Sequence, residues 1–499
     1  MRRPQRICIL GGGTAGWMAA CLLQDRWGRD GCQITLIESS DIGIIGVGEG
    51  STPQLKDFFD RLGIAEAEWM PRCNATYKVG IAFHGWSDDP AFASYFHPFP
   101  SALDLHTRQD FFANAHLRRR GIDVEAHPDR FFVAPTLAAD RRAPQPAADF
   151  PFEQSYGYHF DAVLVGRYLR ELATARGVIH VDTRIDTVEL ADDGDVAALV
   201  ADDGQRFEAD LFVDASGFRA MIVEKALGAT HLSFADNLFN DSAVVTPTPL
   251  PAEGPGVATR STALSAGWCW HIPLTNRVGN GYVYSSRYIS DEDAAAELRT
   301  HLGLPADAEV RHLKMRVGRL ERSWVRNGLA IGLSQGFIEP LEATALHIVL
   351  ATVEGFISAY ERDGDGARDA FNADIARRYE GIRDYIVCHY RAARRRDTDY
   401  WRDATSHDHL SDSLKGLFTA WFTGADVVAE VARQDIAAYY SPVSWHCLFA
   451  GYGAFPAKLL PPPPRMPHAD MDRIDRFVAA CATHFPPHQA ALAALETAE

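Results

Sequence analysis

The sequence predicts an α/β protein that opens on a GxGxxG Rossmann-like unit, passes through a strand-rich region and closes in helices. Three observations carry this. An apolar strand over 6–10 runs into Gly11-x-Gly13-x-x-Gly16, small and aliphatic residues at helical spacing follow over 14–24, and Gln33-Ile-Thr-Leu-Ile-Glu38 reads as a second strand. A strand-rich block then extends to about residue 325, with strands over 267–274, 281–286 and 309–317. From Thr344 onward the apolar spacing becomes helical, over 344–361, 366–396, 410–419 and 425–437.

Between these landmarks a helix is expected over 54–62, an aromatic-rich loop over 92–99 and a surface connection over 141–151, where Ala and Pro accumulate. A helix over 162–176 precedes strands over 178–181, 187–190, 196–201 and 211–215. The prolines at 461–464 read as a stiff linker to a final alanine-rich helix. This divides the chain into a discontinuous cofactor module over 1–360, with the strand-rich substrate region inserted, and a mainly helical capping part over 361–499.

Composition narrows the function classes. A chain of 499 residues with 47% aliphatic and aromatic content can bury a large core. Its formal charge of −17 argues against nucleic acid or an anionic membrane as partner, because phosphates would be repelled. No apolar run approaches bilayer length, and Arg2-Arg3 leads into the first strand rather than an apolar signal segment. Eight cysteines without CxxC or metal-ligand spacing fit buried thiols of a reducing, cytoplasmic setting, with no metal expected.

The glycine motif allows a tight turn and close backbone approach to a pyrophosphate at the helix N-terminus, with Thr14 and Ala15 in the same turn. Glu38, 22 positions after Gly16, ends the second strand where a carboxylate binds a ribose hydroxyl. Residues 210–219 read as a second flavoprotein strand whose turn closes over the cofactor, and 327–336 as a further strand leading to the flavin. An NAD dehydrogenase needs neither, so FAD is favoured.

Four further stretches carry chemistry. Val47-Gly48-Glu49-Gly50-Ser51-Thr52-Pro53 is either a plain turn or a strap over the cofactor. Lys78 alternates in strand fashion with Thr76 and Gly80, as a snorkelling surface residue or as a buried ammonium that donates to, polarises or captures an electrophile. Trp268-x-Trp270-x-Ile272-Pro273 is a bulky, stiff segment, either a buried strand or a wall that keeps substrate from a flavin. Glu339-Pro340-Leu341-Glu342 joins a strand to a long helix, where carboxylates also serve as helix-terminal charges. The basic run 391–396 reads as a solvated helix face.

In this order the motifs resemble the flavin-dependent tryptophan halogenases over nearly the whole chain, from Gly11 to about Gly453. The resemblance implies a fold like the single-component flavin monooxygenases, and FAD used as FADH2. Val188, Leu333 and Leu346 would join Gly48 and Glu49 at the cofactor. Lys78 and Glu342 would be catalytic, with halide, chloride or bromide, held at Thr344 and Ala345. Hypohalous acid would pass the Trp268–Pro273 wall to reach an indole-like aromatic between His97, Phe99 and Trp445. A separate NADH-dependent flavin reductase would supply reduced flavin, and a homodimer is left open. Two departures stand out: Ala343 and Ala345 replace the family's Ser and Gly, and Phe449 replaces an asparagine that binds the amino-acid part of tryptophan. Free tryptophan is therefore a poorer fit than a neutral indole, a substituted arene or a larger indole compound. The alternatives are an FAD-dependent aromatic hydroxylase of the same fold and a flavin-binding protein without catalysis.

Overall fold

The computed structural model describes residues 3–41, 48–362, 366–456 and 468–497. Val47 and the 461–464 proline run fall outside them. The cofactor sheet has six strands in the order Trp324–Val325, Gly328–Ala330, Leu211–Asp214, Arg6–Leu10, Gln33–Glu38, Ile179–Asp182, all pairs parallel but the first. Its central strands are apolar runs, as expected of a sheet covered on both faces. Helix Thr14–Arg26 packs against helices Ala162–Ala175 and Ala345–Arg362, and almost its whole surface is buried. That explains the lack of a polar stripe in its sequence.

The substrate region is a seven-stranded sheet in the order Arg311–Lys314, Ser242–Thr248, Val278–Tyr284, Gly267–Pro273, Thr259–Leu264, Gly80–His84, Ser94–Pro98. Along the wall strand Gly267–Pro273 the side chains alternate. Trp268, Trp270 and Ile272 join the main core, while Cys269 joins a small core with Tyr282 and Leu298 on the other face. Gly281 lies opposite Trp270 in register, and a Cβ there would come 2.1 Å from the indole ring. Only glycine admits that ring. A three-stranded sheet, Gly48–Gly50, Gly157–Asp161 and Thr76–Lys78, packs against the wall strand and its neighbour Val278–Tyr284. A Cβ at Gly48 would meet Ile272 of the wall strand at 3.3 Å.

The helical part contains Ala367–Ala392, Asp412–Thr423, Val427–Gln434 and Pro442–Gly451, and its apolar residues belong to the same main core as Ile7 and Trp17. The expected boundary at 360 falls in the last turn of helix Ala345–Arg362.

Several expectations are corrected. The aromatic segment 92–99 contains a strand, Ser94–Pro98, whose alternation is hidden because both faces are covered. Helix Pro442–Gly451 escaped notice because all of its residues but Pro442 are buried, which leaves no polar stripe. The final helix is two, Met471–Ala482 and His488–Thr497. The 391–396 run is no solvated helix face: the helix ends at Ala392, and Arg394 and Arg395 donate to the carbonyls of Gly453 and Ala263. No helix among the described residues is long and apolar enough to cross a membrane.

Candidate active site

The glycine motif is built as its chemistry requires. Gly11 has φ +118°, and a Cβ on it would lie 2.1 Å from the Ala215 carbonyl oxygen. A Cβ on Gly16 would lie 1.9 Å from the Gly11 carbonyl oxygen, so helix and strand meet backbone to backbone. Gly13 precedes helix Thr14–Arg26 without a side-chain cap, which leaves the first-turn amides facing outward. Glu38 reaches back to this turn, where a Cβ on Gly12 would strike its carboxylate, and His180 Nε2 stands 3.0 Å from it.

Two other expected cofactor segments adjoin this turn, at Ala215 and Gly332. Asp214 ends its strand fully buried and accepts from the amides of Ile222 at 2.7 Å and Val223 at 3.0 Å, fixing the turn after 215. Gly332, at φ +58°, abuts Ala15, and Leu333 lies half-buried beside it. Leu346 is buried in the first turn of helix Ala345–Arg362. These residues fit a dinucleotide: close backbone turns, an uncapped helix N-terminus and an acid at the ribose position. Val188 comes from another part of the fold. It lies on a separate three-stranded sheet, packed against the core of Leu10 and Ile37.

Lys78 settles its own alternatives. It is 0% exposed, which excludes a snorkelling surface role, and Nζ has no hydrogen-bond partner among the described residues. The ring of Phe99 lies 5.4 Å from Nζ, and Gly50 leaves the space beside it, since a Cβ there would come within 3.2 Å. Burial pushes the ammonium down to about 7, with Glu342 opposing. Glu49, on the strand that leads to Gly50, is pushed up to about 7 by burial and by Asp161.

Glu342 is delivered by the short turn Pro340–Glu342, after which Ala343 at φ +56° swings the chain into helix Ala345–Arg362. His97 Nδ1 lies 3.1 Å from its Oε1, and His389 Nε2 lies 2.9 Å from the same oxygen. Tyr452 OH engages His389 Nδ1 at 2.8 Å, which orients that ring. Burial alone would raise the Glu342 carboxyl; the two histidines more than offset it and hold it at about 2. The ligand atoms of His97, Glu342 and His389 also have the spacing of a metal site.

Aromatic groups close around this cluster, where the substrate slot is expected. Tyr385 sits 3.3 Å from His97 Nε2, stacks on Tyr440 at 3.5 Å between centroids and meets Trp445 edge-on at 4.8 Å. The indole nitrogens of Trp445 and Trp270 and the hydroxyl of Tyr440 are buried without partners among the described residues. Thr344 caps the helix by accepting from Ile348 at 3.0 Å, and Ala345 is exposed as its first residue. Pro273 points away from the slot, into a cleft on the other face of the sheet.

Sequence reasoning missed His389 and Tyr385, which are i, i+4 neighbours on helix Ala367–Ala392; polar residues on its buried side were the available signal. It also misread Glu339, which caps nothing. Fully buried, Glu339 accepts at Oε2 from Trp268 Nε1 at 3.2 Å, Asn240 Nδ2 at 2.9 Å and the Tyr390 hydroxyl.

A nucleotide-binding fold joined to a buried lysine and a carboxylate flanked by two histidines fits the class of flavin-dependent enzymes. A family model for tryptophan halogenase matches residues 6–467. The chain is 37% identical to the 7-chloro-L-tryptophan 6-halogenase of Kutzneria sp., covering 90% of each. The tryptophan 6-halogenase of Streptomyces toxytricini superimposes with a TM-score of 0.86 at 33% identity, covering 99% of this chain and 100% of that one. A flavin-dependent halogenase from Brevundimonas sp. gives 0.85 at 33%, covering 99% of both. The chain belongs to the tryptophan halogenase family and is a flavin-dependent halogenase. Nothing among these relatives supports the hydroxylase alternative.

Proposed function

We propose that this enzyme halogenates a neutral, indole-like aromatic, with Lys78 and Glu342 as catalytic residues and FAD, bound as FADH2, held at Gly11, Gly13, Gly16 and Glu38. The observation that carries this reading is Lys78, buried and unpartnered beside a carboxylate clamped by two histidines. When bound, reduced flavin would supply two of the four electrons that reduce oxygen, the halide giving up the other two as it becomes hypohalous acid. A separate NADH-dependent reductase would provide it, and a homodimer in the cytoplasm is compatible with the reading.

The chain's residues divide the work. The amides of Thr344 and Ala345 at the helix N-terminus hold chloride or bromide. Trp268 and Trp270 keep the aromatic substrate from the cofactor while hypohalous acid, a small molecule, passes. The Lys78 ammonium donates to the oxygen of that acid and makes its halogen more electrophilic. Glu342 stays ionised, stabilises the cationic ring formed on attack and takes the ring proton as the aromatic system is restored, with water leaving from the acid. His97 and His389 fix that carboxylate, and Phe99 and Trp445 flank the ring.

Phe449 supports this substrate class. It is fully buried and stacks on Trp421 at 4.8 Å between centroids, so it offers no amide to an amino-acid group. In competition assays with flavin, NADH, a flavin reductase and bromide, mass spectrometry should show indole brominated in preference to free tryptophan. Preference for tryptophan would overturn the substrate assignment, and a hydroxylated product without halogen would overturn the chemistry.

A further inference from the structure

The face of the seven-stranded sheet opposite Trp268 and Trp270 carries an open cleft of about 360 Å³, roofed by helix Val133–Ala139. Pockets of this size suit small molecules. Phe96, Val257, Ala258 and Pro273 give it an apolar lining. One end is basic. Arg260 stands between neighbouring strands, in register with His271 on one side and Ala82 on the other, and His84 lies two residues along from Ala82 on the same face.

This cluster lacks the acid that would normally balance it. Arg260 forms no hydrogen bond or ion pair among the described residues. The acids nearby are engaged: Asp129 accepts from the Phe96 amide at 2.7 Å, Glu253 pairs with Arg141 at 3.2 Å, and Glu297 takes the Ser265 amide at 2.9 Å. The basic groups act against one another. Burial and then Arg260 depress both imidazoles, His271 to about 4, and Arg260 likewise opposes protonation of His301 nearby. With His271 held neutral, Arg260 is a cation without a paired acid at this end of the cleft, and the neighbouring imidazole adds a polar group beside it, an arrangement that suits a bound anion.

We propose that this cleft binds a small organic anion, its carboxylate or phosphate seated on Arg260 and His271 and its apolar body lying along Phe96 and Val257. Sheet and wall separate the site from the catalytic slot, and the proposal does not depend on the halogenation chemistry.

Calorimetric titration of the FAD-loaded enzyme tests it, because bound FAD fills the phosphate site at Gly13. Phenyl phosphate and phenylacetate are the probes, with benzyl alcohol as the uncharged control. One of the two acids should bind at one site per chain, and which one does so identifies the head group. Arg260→Ala should weaken that binding by about tenfold, the loss of one charge-assisted contact, with halogenation unchanged. No binding by either acid, equal binding of benzyl alcohol, or undiminished binding by Arg260→Ala would each overturn the proposal.

Discussion

The indole N–H of Trp268 donates to Glu339 Oε2 at 3.2 Å, and Glu339 opens the turn that delivers Glu342 three residues later. The tryptophan strand and the proposed catalytic carboxylate therefore share one anchor. Asn240 and Tyr390 complete the shell on that oxygen, and Tyr400 in turn donates to Asn240 at 3.0 Å. A shift in this anchor moves both the barrier and the group beyond it.

Glu339→Ala strands three buried donors, each costing roughly 1–3 kcal/mol, so a clear fall in Tm is expected. Glu339→Gln keeps the shape and should restore most of the stability. If the anchor also sets the barrier, Glu339→Gln makes less halogenated product per NADH consumed, with flavin affinity unchanged. Wild-type coupling in that variant would reduce Glu339 to a stability role.

Glu342→Gln removes the charge that the two histidines support. Turnover is expected to fall by roughly 100-fold or more, the scale for loss of one preorganised electrostatic group. Titration with FAD should show normal binding. His389→Ala should give a smaller loss, since His97 still holds the same oxygen at 3.1 Å.

Lys78 gives the pH dependence its sign. Its folded value, about 7, lies below the ordinary 10.5, so keeping it buried opposes folding most strongly below pH 7 and less as pH rises toward 10.5. Lys78→Met should therefore be inactive and have a higher Tm than wild type at neutral pH. If the ammonium is the working form, kcat of the wild type falls as pH rises through about 7. A rise over that interval would assign the task to the free amine instead.

Gly11→Ala tests the cofactor turn. With φ at +118° and the Ala215 carbonyl oxygen 2.1 Å from the added Cβ, the turn must open. Loss of FAD binding with an intact far-UV circular dichroism spectrum is the expected result.

Much of this was legible because it is local. The βαβ unit, the glycine turn and the strand-then-helix order follow from periodicity within short windows, and Lys78 and Glu342 could be singled out by motif. What stayed hidden is long-range. His97, Glu342 and His389 converge across 245 and 47 residues of sequence, and no local pattern marks His389 as facing a carboxylate. Glu339 looks the same in sequence whether it caps a helix or accepts from Trp268, because burial decides between them. Strand Ser94–Pro98 and helix Pro442–Gly451 were missed for the same reason, since complete burial erases the polar stripe that sequence periodicity depends on.

The proposed role of Lys78 is to direct a halogenating species formed elsewhere. It is tested most directly by comparing wild type with Lys78→Ala in bromide, with FAD, NADH, a flavin reductase and indole, and with excess methionine to consume any acid that escapes. Brominated indole and methionine sulfoxide are measured together. The variant is expected to lose brominated indole by at least 100-fold while still forming sulfoxide that depends on bromide. Brominated indole at the wild-type level from Lys78→Ala would contradict the account.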